Sequence, residues 1–467
     1  FYPWRQLAVE QIRAGHWPLW NPYLGAGTPL AANLQTAAFY PPHVLLLLMP
    51  VEQAFGWELA LHVAVAGLSA YYLGRTLGLS RFGALIVGLV YGGGGYIISR
   101  WLFASMVYAA AWLPLMLALA ERPIRRTSSV SLSPRSSAGS GIRNWILDIL
   151  LLALIIALQL LAGHAQTSFY SAVIIAAYAL FRLIQQKTIS RKPRIRSSIL
   201  GICSLLLAAL WGIALAAIQL LPTAELTTRS HRAGNLTDLT LAYELSFWPW
   251  RLITLLAPDF FGNPARDEYW AYGTYWEESA FVGVLPLILA LAALAAWLSR
   301  RRMEGNRETL AMVPFFFLLS LLSLILAMGN HTPLYPLLFR YVPGFGLFQA
   351  PARLMIGYAL GMALLAGIGV DTLRITARTR MALRITVVVG LGMAIAGTAA
   401  RLALPAVRAS FGDSMLRLGL TLALAAVVLL LRGRRLRRTR WQALVIALVV
   451  ADLLAFGWGL APGTDPS

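Results

Sequence analysis

Residues 144–161 are NWILDILLLALIIALQLL and residues 166–184 are QTSFYSAVIIAAYALFRLI, with only the four residues AGHA between them. A helix needs about 20 mainly apolar residues to cross a ~30 Å hydrocarbon core. Both stretches come close to that length. They predict two transmembrane helices joined by a tight turn.

Stretches of this kind recur along the whole chain. Of its 467 residues, 58% are hydrophobic and 12% are charged, whereas soluble domains carry about 25% charged residues. We therefore expect an all-α integral membrane protein, a polytopic bundle of about 12 transmembrane helices. The predicted spans are residues 53–74, 82–99, 104–121, 144–161, 166–184, 198–220, 279–299, 310–328, 354–373, 384–404, 415–431 and 441–459.

The basic residues give the predicted orientation. The net charge is +20, and Arg and Lys cluster after the third, fifth, seventh, ninth and eleventh spans. Segments with excess Lys and Arg face the cytoplasm, which predicts a multi-pass protein of the cytoplasmic (inner) membrane. Because the charges follow the spans, without an aromatic-interleaved groove, a nucleic-acid partner is excluded and the lipid bilayer is the expected partner.

The same pattern predicts the domain organisation. Residues 1–52 form a first external loop, incomplete at its N-terminal side, since we expect a fragment cut at both ends. Residues 53–459 form the transmembrane domain, with external loops 221–278 and 329–353, and residues 460–467 begin an external tail. The external segments hold Trp, Tyr, Pro and most of the carboxylates, so we expect them to form a membrane-lying surface that carries any chemistry.

Several motifs lie in these external segments: FYPWR (1–5), GHWPLWNP (15–22), GTPL (27–30), ANLQ (32–35) and FYPP (39–42), then QLLPTAE (219–225) with SHR (230–232), PDFFG (258–262), and PGF (343–345) with FQAPAR (348–353). They resemble bacterial YfhO-type membrane proteins, which are similar to glycosyltransferases of the C superfamily. The resemblance spans nearly the whole chain.

This resemblance implies a helical bundle with a catalytic pocket at the external membrane face. It implies a sugar donor linked to polyprenyl phosphate and an extracytoplasmic glycan, polymer or lipid acceptor. The superfamily's catalytic acid typically lies in the first external loop. Residues 1–52 contain no Asp, and Glu10 and Glu52 match no motif position, so we expect the main catalytic acid upstream of Phe1.

Candidate phosphate-binding residues are the arginines of the external loops. Arg suits phosphate because its planar guanidinium makes bidentate hydrogen bonds. Arg353 lies where a loop re-enters the membrane, and Arg229 and Arg232 lie in another loop. The alternatives are lipid-headgroup contact for Arg353 and a solvated charge for the other two.

Candidate catalytic carboxylates are Asp259 and Glu278, at the borders of the aromatic-rich external stretch. Either side chain is suited to act as acid, base or ligand of a divalent cation, or to be merely solvated. His164, in the turn after residue 161, is a candidate for sugar or phosphate binding, or a helix cap. Trp20 and Asn21 either shape the pocket or fix the first loop.

The favoured function is an integral-membrane glycosyltransferase, and the alternative is a transporter or flippase of lipid-linked sugars. Transporters place polar sites near the bilayer midplane, so the Glu58/His62 pair and Gly92–Gly95 keep that alternative open. Because residues four apart share a helix face, Glu58 and His62 are expected to pair, as structural contacts or as a proton relay. A scaffold with a degenerate site is the third possibility.

Overall fold

The computed structural model describes residues 2–129, 138–189, 195–230, 236, 239–266, 269–299, 307–403, 409–432 and 436–460. Its first helices are α1 (Tyr2–Arg13), α2 (Val44–Leu48), α3 (Val51–Thr76), α4 (Arg81–Gly92), α5 (Gly95–Ile98), α6 (Ala104–Ser129), α7 (Ala138–Leu161), α8 (Ala165–Ile189), α9 (Ile195–Leu215) and α10 (Ala217–Thr228). The rest are α11 (Leu239–Tyr243), α12 (Tyr275–Glu278), α13 (Val284–Leu298), α14 (Arg307–Leu310), α15 (Val313–Ala327), α16 (Leu334–Tyr341), α17 (Met355–Thr372), α18 (Ala377–Ala403), α19 (Ala409–Leu430) and α20 (Arg438–Gly457). One two-stranded antiparallel pair, β1 (Trp20–Asn21) with β2 (Thr28–Pro29), lies in the first loop.

Each of the twelve predicted spans falls on a helix. Within the described ranges, nine helical segments are long and apolar enough to cross a membrane, and α9 with α10, bent by 77° at their junction, makes a tenth. Helix α13 is apolar but shorter, and α3 falls outside this set. The chain is thus a multi-pass helical membrane protein with nine or ten candidate spans.

The chain divides into two compact units. Unit 1 comprises Phe1–Thr76 and Phe103–Thr237, and unit 2 comprises Leu77–Leu102 and Asp238–Ser467. The sequence predicted one transmembrane domain and not this division, because hydropathy indicates where helices lie and not which helices pack together.

In unit 1, helix α6 packs against α3, α7, α8 and α9. A core of Met116, Leu119, Ile149 and Leu152 fills the contact between α6 and α7. Near the first loop, α10 is fixed by side-chain bonds. The Gln219 amide donates to the Ala31 carbonyl at 2.6 Å, and the Thr223 hydroxyl donates to the Ala32 carbonyl at 2.9 Å.

In unit 2, helix α17 is buried along almost its whole length between α4, α13 and α15. Glycines allow this close packing. A Cβ at Gly369 would lie 1.8 Å from the Leu289 carbonyl oxygen, and one at Gly361 would lie 2.6 Å from that of Phe316.

The loops of unit 2 meet at one end, called here the loop end of unit 2 (residues 239–283 and 328–354 with the adjoining helix termini). Backbone bonds join them: Phe247 to Ala327 at 2.8 Å, Ala352 to Leu245 at 3.3 Å, and Gly95 to Phe281 at 2.6 Å. Segments of unit 2 that the charge pattern assigns to one side of the membrane therefore lie at the same end of this unit.

Candidate functional site

Glu277 binds the arginine that the sequence analysis favoured. Arg353 lies in the 3-10 turn Pro351–Leu354 just before α17. Its Nη2 atom donates to Glu277 Oε1 at 2.6 Å and its Nε atom to Oε2 at 3.2 Å. The Glu277 side chain is 2% exposed and that of Arg353 16%. This two-pronged pair fixes the guanidinium plane while leaving part of it accessible.

Arg100 lies on the other side of Glu277 and is fully buried. It follows the short helix α5, and its Nη1 atom donates to the carbonyls of Tyr96 at 3.0 Å and Ser279 at 2.9 Å. Its Nη2 atom donates to the Glu277 carbonyl, and its Nε atom is 4.0 Å from the Glu277 carboxylate. The guanidinium also stacks over the Tyr96 ring at 4.0 Å. Arg100 thus holds the α12 backbone in place.

Glu278, the next residue of α12, forms a separate ion pair. Its Oε2 atom lies 2.7 Å from Arg251 Nη1, and both side chains are at most 2% exposed. Its Oε1 atom accepts the Thr274 backbone N–H at 3.1 Å. Burial, partly offset by Arg251, raises the pKa of Glu278 to about 7. This carboxyl group is therefore poised to exchange a proton near neutral pH.

The segment 269–274 covers this pair. Gly273 adopts φ +94°, and a Cβ there would lie 2.2 Å from Glu278 Oε1, so a larger residue would displace the carboxylate. The buried hydroxyl group of Thr274 has no hydrogen-bond partner among the described residues. Such groups are normally satisfied by protein or water, so this part of unit 2 has unused hydrogen-bonding capacity.

Asp259, the other predicted carboxylate, is held by its own network. It accepts the Tyr275 hydroxyl at 2.6 Å and the Asn263 amide at 3.0 Å. Arg266 and Arg417 lie 3.6 and 3.7 Å away. Its side chain keeps 19% exposure. Asp259 and Glu278 are therefore both in unit 2, but in different hydrogen-bond networks.

Glu58 and His62 of unit 1 do not form the carboxylate–imidazole pair that their spacing predicted. His62 Nδ1 contacts the Glu58 backbone carbonyl at 2.6 Å, and Nε2 contacts the Tyr40 hydroxyl at 2.6 Å. The Glu58 carboxylate instead accepts the Tyr108 hydroxyl at 3.0 Å. The prediction failed because a helix face also meets residues from distant segments, here the first loop.

The Glu58 carboxylate also faces two side chains of that loop. Arg5 Nη1 lies 3.8 Å and His43 Nε2 3.6 Å from it. Arg5 and His43 border a cavity of about 220 Å³ with Thr36 and Tyr40. Glu58 is the eighth of the 26 residues of α3, so this cluster joins the first loop to the first half of that helix.

His164 is buried and caps α8. Its Nδ1 atom accepts the Thr167 backbone N–H at 3.1 Å and lies 2.7 Å from the Thr167 hydroxyl. This satisfies one of the free N–H groups of the first helical turn. The contacts correspond to the helix-cap alternative, and they do not test a role in binding.

Trp20 and Asn21 form strand β1. Asn21 is buried, and its Oδ1 atom accepts the Tyr23 N–H at 3.0 Å. Trp20 is half exposed, and its ring covers Gly27, where a Cβ would lie 2.5 Å from the ring. Both residues shape the hairpin, while the exposed Trp20 face remains available for contact.

Arg229, another of the predicted arginines, lies in unit 1 at the C-terminal end of α10. Arg229 is 76% exposed and pairs with Glu225 at 2.9 Å. It borders an apolar groove of about 520 Å³ in unit 1, with Trp17, Phe39 and Leu226 among its walls. Arg232 lies outside the described residues.

A divalent cation needs several oxygen or nitrogen ligands close together. Over the described ranges, no three His, Cys, Asp or Glu side chains are grouped so that they could hold a metal ion. The carboxylates of Asp259, Glu277 and Glu278 are instead placed against arginines.

Arg100 and Arg251 were not among the predicted site residues, and Glu278 was predicted rather than its neighbour Glu277. A signal for both arginines was present. Each lies on the side predicted to be external, where the positive-inside rule makes Arg uncommon. An Arg on the side that the rule predicts to be external needs a partner that accounts for its position. For Arg100 and Arg251, the partners are the two carboxylates of α12.

No protein-family model and no curated protein sequence matches the chain. Among solved structures, the crystal structure of ArnT from Cupriavidus metallidurans bound to undecaprenyl phosphate is similar to it. That similarity has a TM-score of 0.48 and 13% sequence identity, and it covers 98% of this chain and 71% of that chain.

Proposed function

We propose that this protein is an integral-membrane glycosyltransferase that moves a sugar from a polyprenyl-phosphate donor to an extracytoplasmic glycan, polymer or lipid. The observation that carries the proposal is Arg353, held by Glu277 at the loop end of unit 2. The resemblance of the loop motifs to YfhO-type proteins supports the same activity. We also propose that α3, α13 and the bent pair α9–α10 complete the twelve spans, in a cytoplasmic membrane with the loop end external.

The charges around α12 suit a departing phosphate. Three guanidinium groups, from Arg100, Arg251 and Arg353, lie against only two carboxylates, which leaves a net charge of about +1. Their orientation is fixed before substrate binds. Preorganised cations aimed at developing negative charge lower a barrier without reorganisation during the reaction.

The proposed transfer balances with the chain's own side chains. The acceptor hydroxyl oxygen attacks the anomeric carbon, and the bond from that carbon to the phosphate oxygen breaks. The polyprenyl phosphate leaves with the electron pair and is stabilised by Arg353. The hydroxyl proton passes to a carboxylate, for which Glu278 is favoured over Asp259 because its pKa of about 7 matches the working pH.

Glu278 is fully buried, so an acceptor reaches it only if the covering segment 269–274 moves. This segment contains Gly273, and its Trp270 and Tyr272 are exposed. Exposed aromatic rings of this kind pack well against sugar rings, since both present an apolar face. We propose that the acceptor displaces this segment as it binds.

The transporter or flippase remains the alternative because Glu58 is fully buried in a predicted span. Its partners Arg5 and His43 come from the first loop, however, and not from another span. A transport site is expected near mid-bilayer at the interface of repeated halves. Since Glu58 is paired with the first loop and the α12 pairs lie at the loop end of unit 2, the charged pairs favour the enzyme.

The proposal is tested with the full-length protein in lipid, supplied with labelled polyprenyl-phosphate sugars and a panel of acceptors. Arg353→Ala should lower polyprenyl phosphate release at least a hundredfold, since one such donor contributes about 2.7–4 kcal/mol. Arg340→Ala is the matched control, because Arg340 is exposed on α16 of the same unit. Equal rates of polyprenyl phosphate release for the two variants would show that Arg353 does not stabilise the departing phosphate. Movement of lipid-linked sugar across the bilayer without turnover would favour the flippase.

A further inference from the structure

A second charged pocket lies in unit 2, away from α12. Its volume is about 520 Å³, and it is formed by the beginnings of α4 and α20. Arg81 and Arg438 line it together with Ser80, Thr439 and Gln442. Both arginines are exposed. The pocket therefore presents two accessible cations and several hydrogen-bonding groups.

The pocket also has apolar lining residues. These are Phe82 and Leu85 of α4 with Ala443 and Ile446 of α20. Both helices are candidate membrane spans. This groove between two spans is charged at the helix ends and apolar about one turn further along the helices. A phospholipid changes in the same way, from a charged headgroup to an apolar acyl chain.

The positive charge beside this pocket is only partly balanced. Arg432 stacks over the Trp441 ring at 5.0 Å, and its buried Nη1 atom has no hydrogen-bond partner among the described residues. Burial and the nearby Arg438 lower the pKa of Arg432. The neighbouring carboxylate, Asp371, accepts the Ser80 N–H at 2.7 Å and the Ser80 hydroxyl at 2.5 Å. Arg432 is thus close to Arg438 and to a carboxylate that already accepts two hydrogen bonds.

Backbone N–H groups add to the positive potential of the pocket. Helix α20 begins without a side-chain capping bond from Arg437 within the described residues. Free N–H groups at a helix start favour an anion, although here they only supplement the two arginines and the cavity.

We propose that this pocket binds the phosphate of an anionic phospholipid between Arg81 and Arg438, with an acyl chain along Phe82, Leu85 and Ile446. Basic pockets between transmembrane helices are suited to anionic headgroups. The bound lipid would hold α4 against α20. This site is separate from the proposed transferase chemistry, and its test does not depend on turnover.

The test uses the full-length protein in nanodiscs of phosphatidylcholine with phosphatidylglycerol, followed by native mass spectrometry of the lipid retained in detergent. The wild type should retain phosphatidylglycerol in preference to phosphatidylcholine. The double variant Arg81→Gln/Arg438→Gln should bind it about tenfold or more weakly, as expected for lost charge-assisted bonds.

The matched control is Arg340→Gln/Arg401→Gln, which removes two other exposed arginines of unit 2 and should retain the lipid as the wild type does. A second variant, Ile446→Asn, tests the apolar wall and should also weaken retention. Added inorganic phosphate should not displace the lipid. Equal retention by the pocket variant and the control variant, or equal retention of both lipids by the wild type, would overturn the proposal.

Discussion

At the scale of single residues, the arginines of unit 2 differ in how they are held. Arg353 makes a two-pronged contact with Glu277, whereas Arg100 is anchored mainly by backbone carbonyls. The contact with Glu277 fixes the Arg353 side chain while part of it is still accessible. The bonds from Arg100 fix the backbone that carries Glu277. The Glu277 carboxylate therefore orients Arg353, and it also lies 4.0 Å from Arg100 Nε.

Glu277→Gln should destabilise the protein and reduce turnover together. Removing a nearly buried carboxylate leaves two guanidinium groups without their counter-charge, which costs about 3–5 kcal/mol for buried pairs. Glu225→Gln is the control, because its pair with Arg229 is 65% and 76% exposed and such pairs contribute about 0–1 kcal/mol. Thermal unfolding in detergent measures the difference. Equal losses for the two variants would contradict the role of Glu277.

The pKa of Glu278 predicts the pH dependence of transfer. A base accepts a proton only when it is deprotonated, so kcat/KM should rise with pH up to a plateau, with a midpoint near the free carboxyl's pKa of about 7. Glu278→Gln should be slow and should lose this titration. An unchanged profile in Glu278→Gln would assign the proton to another group, such as Asp259.

The same pKa also has a consequence for stability. Burial raises it above its ordinary value, so the folded protein binds this proton more tightly than the unfolded chain does. The contribution of Glu278 to stability is therefore fully present below the unfolded pKa, and it is lost as pH rises towards about 7.

At the scale of helices and loops, hydropathy located every predicted span on a helix, because the bilayer requires long apolar stretches. It did not predict the bend between α9 and α10 or the break at Gly93–Gly94 between α4 and α5. Those interruptions depend on tertiary contacts, such as the bond from Gly95 N–H to the Phe281 carbonyl. The short helix α12 was missed for the same reason, since distant arginines hold it.

Gly369→Ala should destabilise the packing of α17 against α13, because its Cβ would lie 1.8 Å from the Leu289 carbonyl oxygen. Overpacking of this kind costs about 1–3 kcal/mol or more. Gly392→Ala on α18 is the control, since no atom lies within 4 Å of its Cβ position. It should be neutral or stabilising by up to about 1 kcal/mol. Equal unfolding temperatures for the two variants would contradict this close approach.

At the scale of the whole molecule, composition and charge predicted a multi-pass helical membrane protein, and that class is confirmed. Its division into two compact units was not predicted. Three of the predicted site residues, Arg353, Asp259 and Glu278, lie at the loop end of unit 2, and their role in catalysis stays a prediction. Their partners Arg100, Arg251 and Glu277 come from distant segments, and sequence spacing does not show such contacts.

The orientation can be measured by labelling single cysteines in intact cells. In a Cys203→Ser background, Tyr272→Cys lies in an external loop by the charge pattern, and Thr439→Cys lies at the basic end of α20. Both positions are exposed. A membrane-impermeant maleimide should label Tyr272→Cys in intact cells and Thr439→Cys only after the membrane is opened. The opposite result would reverse the predicted orientation.

The most direct test of the central claim is product analysis with the purified full-length protein, a labelled polyprenyl-phosphate sugar and an acceptor panel in lipid. We expect labelled sugar on an acceptor and an equal amount of free polyprenyl phosphate, both lost in Arg353→Ala and kept in Arg340→Ala. If no donor is turned over while lipid-linked sugar crosses the bilayer, the protein is a flippase and the transferase account is wrong.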